Sequence, residues 1–194
     1  RVIPNSAVLE DAPCSQLSAK RVIAVGRLDY QKSFDRLIEA WRIVHGKAPE
    51  WRLDIFGQGE WKERLQQQIA DCGLEGCCAI NAPTADIVSE YAASSLLVMS
   101  SHYEGFPMVL IEGMACGLPA VSFDFKCGPR DIIREGVDGF IARDGDVADL
   151  ARKMLLVIGD EQMRRRMGQA AREVVRRFSP DSVMEKWLSV YKDA

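Results

Sequence analysis

Short apolar runs alternate along this chain with longer segments in which apolar residues recur every three or four positions. Lys20–Gly26 (KRVIAVG) is a run closed by glycine and reads as a first buried parallel strand. Phe34, Leu37, Ile38, Trp41 and Val44 then keep helical spacing, with Gly46 and Pro49 as the stop. Trp51–Phe56 is a second strand, and Trp61, Leu65, Ile69 and Cys72 mark the helix after it. Cys77–Ile80 is a short third strand, followed by a helix that turns Ile87, Val88 and Tyr91 inward, with Thr84 placed to cap it. Ser95–Ser100 and Pro119–Phe123 are the fourth and fifth strands, separated by an apolar helix over about 107–116. Pro129 opens a short helix ending at Gly136, and Asp138–Ala142 is a turn with a last short strand. Beyond Asp146 the chain is helical. Val147, Leu150, Met154, Leu155 and Ile158 form one face, a second helix runs from about Glu161 to Arg177, and Ser179-Pro180-Asp181 starts a final helix with Val183, Trp187, Leu188 and Tyr191. The alternation predicts an α/β domain, an open parallel sheet with helices on both faces. Right-handed crossovers bring the loops 27–32, 57–60, 81–84, 101–106 and 124–129 to one sheet edge, where such folds bind ligands.

One charge breaks the apolar pattern. From Gly105 to Phe123 only Glu112 is charged, inside a helix that starts after Pro107 and stops at Gly117 and Pro119. An unpaired buried polar group costs about 2–7 kcal/mol, and a charge more. Glu112 therefore needs either a partner such as arginine or a ligand that donates hydroxyls. The start of the same helix attracts anions through its free N–H groups and dipole, so a ligand carrying both phosphate and hydroxyls satisfies both ends. Across the same sheet edge, the loop Arg27-Leu28-Asp29-Tyr30-Gln31-Lys32 adds two cations. Gly57-Gln58-Gly59 lacks the third glycine of a dinucleotide fingerprint and reads as a tight turn with close backbone packing.

Composition narrows the classes. With 25 Lys+Arg against 28 Asp+Glu the formal charge is −3, which gives no reason to expect a nucleic-acid partner. No uncharged apolar run is long enough to span a bilayer. The 6 cysteines (14, 72, 77, 78, 116, 127) form no CxxC pair and no metal-like spacing with the 2 histidines, so buried free thiols in a reducing compartment, the cytoplasm, are expected. Residues 1–19 lack periodicity and read as a connector in which Asn5 is a turn residue; 20–178 are the ligand-binding domain and 179–194 a C-terminal helix. Arg164-Arg165-Arg166 and Arg176-Arg177 are expected on a solvated helix face, a possible contact for anionic lipid.

Glu104 and Glu112 are separated by seven residues, and E-G-F-P-M-V-L-I-E followed by G-M-A-C-G-L-P resembles the E-x7-E signature of retaining glycosyltransferases of GT-B fold, family 4 in particular. G-R-L-x-x-x-K at 26–32 and S-F-D-x-K-x-G-P-R-x-I-I at 122–133 are similar to segments of the same family. The resemblance implies the Rossmann-like C-terminal half of a GT-B enzyme, which transfers a hexose from a nucleotide diphosphate sugar with retention. It places Arg27 and Lys32 on the donor diphosphate, Glu104 beside the sugar as a catalytic carboxylate, and Glu112 on the ribose hydroxyls. Backbone groups of Gly105, Phe106, Met108 and Val109 would meet sugar and phosphate, Ala82 and Pro83 the base, and Gly128 would let the backbone approach the donor. Relatives commonly carry glycine where Ala82 stands, which leaves the base open; UDP is the expected nucleotide, no metal is expected, and His102 needs no catalytic role. The acceptor, a glycan or lipid-linked sugar, would be held by an N-terminal domain preceding Arg1, so these residues would bind donor without transferring it, in the cytoplasm or peripherally at the inner face of the plasma membrane. A nucleotide-sugar epimerase of the same architecture and a non-catalytic nucleotide-binding module are the alternatives.

Overall fold

The computed structural model describes residues 3–7 and 11–192; Arg1, Val2, residues 8–10 of the expected connector and residues 193–194 of the last helix lie outside the described residues. Among the described residues there are six strands, β1 (Arg21–Val25), β2 (Arg52–Phe56), β3 (Cys78–Asn81), β4 (Leu96–Met99), β5 (Ala120–Phe123) and β6 (Gly139–Ala142). They form one all-parallel sheet in the order β3-β2-β1-β4-β5-β6. The middle strands are covered on both faces: every residue of β4 and β5 is buried, which is why they read as unbroken apolar runs rather than alternating ones.

Right-handed crossovers fix which face each helix takes. The helices α1 (Phe34–His45) and α2 (Lys62–Asp71) connect strands that step from β1 toward β3 and lie on one face, where α6 (Val147–Gly159) joins them by packing on α1. The helices α3 (Ile87–Ala92), α4 (Met108–Ala115) and α5 (Pro129–Ile132) connect strands that step the other way and lie on the opposite face. There α7 (Glu161–Ala171) and α8 (Val174–Arg177) pack on α4, and α9 (Pro180–Lys192) ends the chain. Trp41, Tyr91 and Phe123 are the largest side chains sealed in the core.

Several expectations are corrected. Thr84 does not cap α3; Asp86 does, accepting from the Ser89 N–H at 3.2 Å. The helix opened by Pro129 is one turn long, because Ile133 is extended and the Arg134 N–H turns to the Asp138 carboxylate at 2.7 Å. The single helix expected over 161–177 breaks between Ala171 and Val174, where the Arg134 guanidinium takes the Ala170 carbonyl at 3.0 Å and Glu173 N–H and Val175 N–H close tight three-residue turns. Of the face expected on the last helix only Val183 is buried; Trp187, Leu188 and Tyr191 are exposed. All six cysteines are free, but Cys14 and Cys127 are exposed rather than buried. The arginine runs are not a continuous basic surface either. Arg164 is buried and donates to the carbonyls of Leu17, Val157 and Ile158, closing the C-terminus of α6 over the Trp51 ring. Arg177 donates to the carbonyls of Ile132 and Asp131.

The G-x-G turn is a packing device, as its sequence suggests. A Cβ on Gly57 would stand 1.9 Å from the Gly26 carbonyl oxygen, and one on Gly59, whose φ is +159°, 2.4 Å from that of Leu28. The backbone there continues the sheet past its strands: Gly26 N–H to Phe56 O, Leu28 N–H to Gln58 O and Gly57 N–H to Asn81 O. Gly57→Ala should therefore lower stability by about 3 kcal/mol, the upper range for overpacking, whereas Gly76→Ala, with nothing within 4 Å of the new methyl, should be close to neutral; thermal melts of the two variants decide it.

Candidate active site at the strand-order reversal

Consecutive strands run outward from β1 to β3, then the chain returns to the sheet centre at β4 and runs the other way. The carboxyl ends of β1 and β4 thus flank a crevice that no crossover covers, the place where open α/β sheets bind ligands. The β1 loop is shaped by its own residues. Leu28 is fully buried and pins it to the core, the Asp29 carboxylate accepts from the Lys32 N–H at 3.1 Å, and Ser33 takes a left-handed φ of 50° before α1 begins. The β4 loop is stitched to it: His102 N–H donates to the Gln31 carbonyl at 2.8 Å and Ser100 Oγ to the Lys32 carbonyl at 2.8 Å.

This stitching brings Lys32 Nζ within 2.6 Å of Glu104 Oε1, with side chains only 15% and 9% exposed. Ser101 Oγ donates to the same oxygen at 2.7 Å. The second oxygen of Glu104 accepts from Gln31 Nε2 at 3.3 Å, and Gln31 Oε1 accepts from Arg27 Nη2 at 3.0 Å. Gln31 therefore bridges Arg27 and Glu104, two of the four charged residues that the sequence singles out, and it also donates to the Tyr103 carbonyl at 3.1 Å. The Arg27 side chain is 70% exposed, with Asp29 Oδ2 3.3 Å from its Nε. Gln31 and Ser101 are the site residues that the sequence did not single out.

Glu112 stands in an adjoining pocket of about 320 Å³ whose walls include Phe56, Pro83, Thr84, Ile87 and Arg27. Among the described residues it has no cationic partner; the Tyr91 hydroxyl donates to it at 3.3 Å. Burial, reinforced by the negative charge of Glu112, pushes the Tyr91 phenol well above its ordinary range, so it stays a protonated donor. Ala82 is exposed on the loop leading to Pro83.

The remaining expected residues fall elsewhere. Met108 begins α4 and its N–H donates to the Phe106 carbonyl at 3.0 Å, whereas the Val109 N–H, in the first turn, has no intrahelical acceptor. Gly105, Phe106 and Gly128 line a second cleft, of about 430 Å³, and not the Glu112 pocket. Gly128 is glycine for a steric reason: its φ is +117° and a Cβ would meet Pro107 Cδ at 2.4 Å. Among the described residues no group of three or more His, Cys, Asp and Glu is placed to hold a metal ion, and no helix is long and apolar enough to cross a membrane.

The sequence model of the family Glycosyl transferases group 1 matches residues 14–174. The chain belongs to this family. Amylovoran biosynthesis glycosyltransferase AmsD of Erwinia amylovora is 39% identical to this glycosyltransferase domain over 170 residues, 88% of the chain and 47% of AmsD. Poly(ribitol-phosphate) alpha-N-acetylglucosaminyltransferase of Staphylococcus aureus is 30% identical over 190 residues, 97% of the chain and 38% of its own length. A crystal structure of an S. aureus TarM mutant in complex with fondaparinux, alpha-GlcNAc-glycerol and UDP superposes with a TM-score of 0.91 at 30% identity, covering 98% of this chain and 39% of that one. The fold is thus the Rossmann-like C-terminal half of GT-B, and the chain spans less than half the length of these relatives.

The loop that carries Glu104 holds a titratable reporter. Arg36 Nη2 lies 2.6 Å from His102 Nδ1, and the imidazole stacks on Tyr30 at 4.4 Å. Burial first, and then the Arg36 charge, hold the His102 pKa below its usual value, with Asp35 and Asp144 opposing. A base depressed in the folded state is protonated first in the unfolded chain, so the stability it contributes is present above the unfolded pKa of about 6.5 and lost as pH falls below it. Melting temperatures measured from about pH 7 to about pH 5.5 should fall further for the parent than for His102→Asn, which keeps an acceptor for Arg36 but cannot titrate.

Proposed function

We propose that the chain is the donor-binding domain of a retaining family 4 hexosyltransferase whose donor is a UDP-sugar. The observation that carries this reading is the pairing of Arg27, Gln31 and Lys32 with Glu104 at the strand-order reversal, next to a Glu112 with no cationic partner among the described residues. A nucleotide diphosphate sugar matches each part. The base lies between Phe56, Pro83 and Ile87, beside Ala82 and Thr84; Glu112 accepts from the ribose hydroxyls, and the first turn of α4 with Arg27 and Lys32 takes the diphosphate. That the TarM complex contains UDP supports uridine as the base.

In this reading the Lys32–Glu104 pair is a poised exchange. With no donor present each buried charge neutralises the other. When the diphosphate arrives, Lys32 turns part of its field to the phosphate oxygens, and Glu104 is freed to accept from a sugar hydroxyl. As the bond between the anomeric carbon and the diphosphate oxygen breaks, its electron pair goes to the diphosphate. Arg27, Lys32 and the free Val109 N–H in the first turn of α4 stabilise that charge, and Glu104 stabilises the positive charge growing on the sugar. The acceptor hydroxyl then bonds to the same face of that carbon and gives its proton to the departing diphosphate oxygen. The counter-charge comes from the protein, without a divalent ion.

The acceptor in this proposal is a glycan or lipid-linked sugar reached from the cytoplasmic side and held by a further domain. Arg165, Arg166 and Arg176 are the exposed arginines of the two runs left to face an anionic membrane. By themselves these 194 residues hold donor without passing sugar on; detectable transfer by them would overturn that part. AmsD and the poly(ribitol-phosphate) enzyme are both transferases, which favours transfer over epimerisation.

Calorimetric titration with UDP, GDP and ADP in the presence of EDTA tests the donor assignment. UDP should bind selectively, and Arg27→Ala and Glu112→Ala should each weaken it roughly tenfold or more, as expected for a lost charged hydrogen bond. Equal binding of all three nucleotides, or unchanged affinity in both variants, would overturn it. Gln31→Ala should weaken UDP by about fivefold in the same titration while leaving the melting temperature within about 2 °C, since it removes a brace on Arg27 and not a core contact.

A further inference from the structure

The second cleft, beside Phe106, has chemistry of its own. Its floor is aromatic: the Phe106 and Phe178 rings lie 5.7 Å apart at a tilt of 56°. Its rim mixes charges. Lys186 Nζ is held 5.8 Å from the Phe178 ring centroid and, among the described residues, ion-pairs with no carboxylate. Arg177 lies 5.2 Å over the same ring with two of its nitrogens given to carbonyls, and Asp131 contributes a carboxylate. The far wall is the Cys127–Gly128 turn, both residues at positive φ (68° and 117°), wedged against Pro107. The connector closes one end, with Pro4 in the lining and Ala7 N–H donating to the Phe178 carbonyl at 2.9 Å.

We propose that this cleft is the part of the acceptor site that the present domain contributes, a subsite for a sugar residue bearing an anionic substituent, a phosphate or a carboxylate, with the rest of the acceptor on the further domain. The apolar face of a pyranose stacks on the phenyl rings, its hydroxyls donate to the Asp131 carboxylate, and the anionic substituent meets the ammonium of Lys186, since Arg177 is already countered by Asp138 at 3.9 Å. The assignment to the acceptor rests on the donor reading above. Gly105 and Phe106 belong both to this cleft and to the loop that carries Glu104, so the wall that bounds the cleft is the one that bears the proposed catalytic carboxylate.

Cys127 lines the cleft and is exposed, whereas Cys14, equally free and exposed, does not line it; the chain thus carries both a reporter and an internal control. The experiment is timed alkylation of the full chain by iodoacetamide, read by peptide mass mapping. Glucose 6-phosphate, glucuronate, glucose and inorganic phosphate are the probes, and UDP affinity is measured on the same samples. Glucose 6-phosphate or glucuronate should slow modification of Cys127 by about fivefold or more without slowing Cys14, and Lys186→Ala should abolish that protection and leave UDP affinity unchanged. Which of the two anionic sugars protects identifies the substituent. Absence of protection by both, equal protection by glucose or by inorganic phosphate, or full protection in Lys186→Ala would each overturn the subsite. Failure of UDP to bind with Cys127 protection intact would instead overturn the donor reading, leaving an anionic-sugar cleft with no claim on the acceptor.

Discussion

The constraint on which this structure depends is the reversal of strand order between β1 and β4. A parallel sheet must be covered on both faces by its crossovers, and a chain that fills one side first has to return to the centre to fill the other. The return leaves two strand ends side by side with their loops diverging to opposite faces. Every charged residue of the proposed donor site stands on one of those loops or on the helix that follows one, and the stitching of Gln31 to His102 and of Lys32 to Ser100 holds the loops in register. The sheet is therefore more than a scaffold: its topology decides which residues, far apart in sequence, become neighbours.

Electrostatic balance follows the same economy elsewhere in the molecule. Arg21, buried at the start of β1, is shared between Asp54 of β2 and Glu90 of α3. Asp138, fully buried before β6, takes both the backbone and the guanidinium of Arg134. Those clusters are satisfied within the fold and sit away from the reversal. Lys32 and Glu104 are a largely buried pair that joins the two loops flanking the reversal, which is what separates a site from a brace.

The order of elements was legible because buried strands read as apolar runs and loops as their glycine- and proline-marked ends, and Glu112 stood out as a charge inside an apolar helix. Arg27, Lys32 and Glu104 were picked out by their loops at the strand ends and by the family resemblance, and the fold brings the three together through Gln31. The close packing behind Gly57 and Gly59 was legible from the glycines themselves. Gln31 was not, because a polar loop residue carries no periodicity and its partner lies 73 positions away. Arg164 was misread as surface inside a basic triplet, although 164, 167, 168 and 171 share one helical face and all four are buried. The exposed face of α9 was not legible either. Amphipathic spacing at Val183, Trp187, Leu188 and Tyr191 marks apolar residues on a helix, and only coordinates show that Val183 alone packs inward.

The glycine contact at Gly57 has a consequence for how a ligand would be received. Because main-chain hydrogen bonds tie Gly26 to Phe56 and Leu28 to Gln58, the backbone on either side of Arg27 is already fixed, while its side chain remains largely in solvent. Freezing one arginine side chain costs about 2 kcal/mol of conformational entropy, whereas ordering a loop costs about 1–2 kcal/mol for each residue. The crevice is thus a rigid socket with one swinging arm, in which the freedom surrendered on capture is that of a guanidinium and not of the chain that carries it.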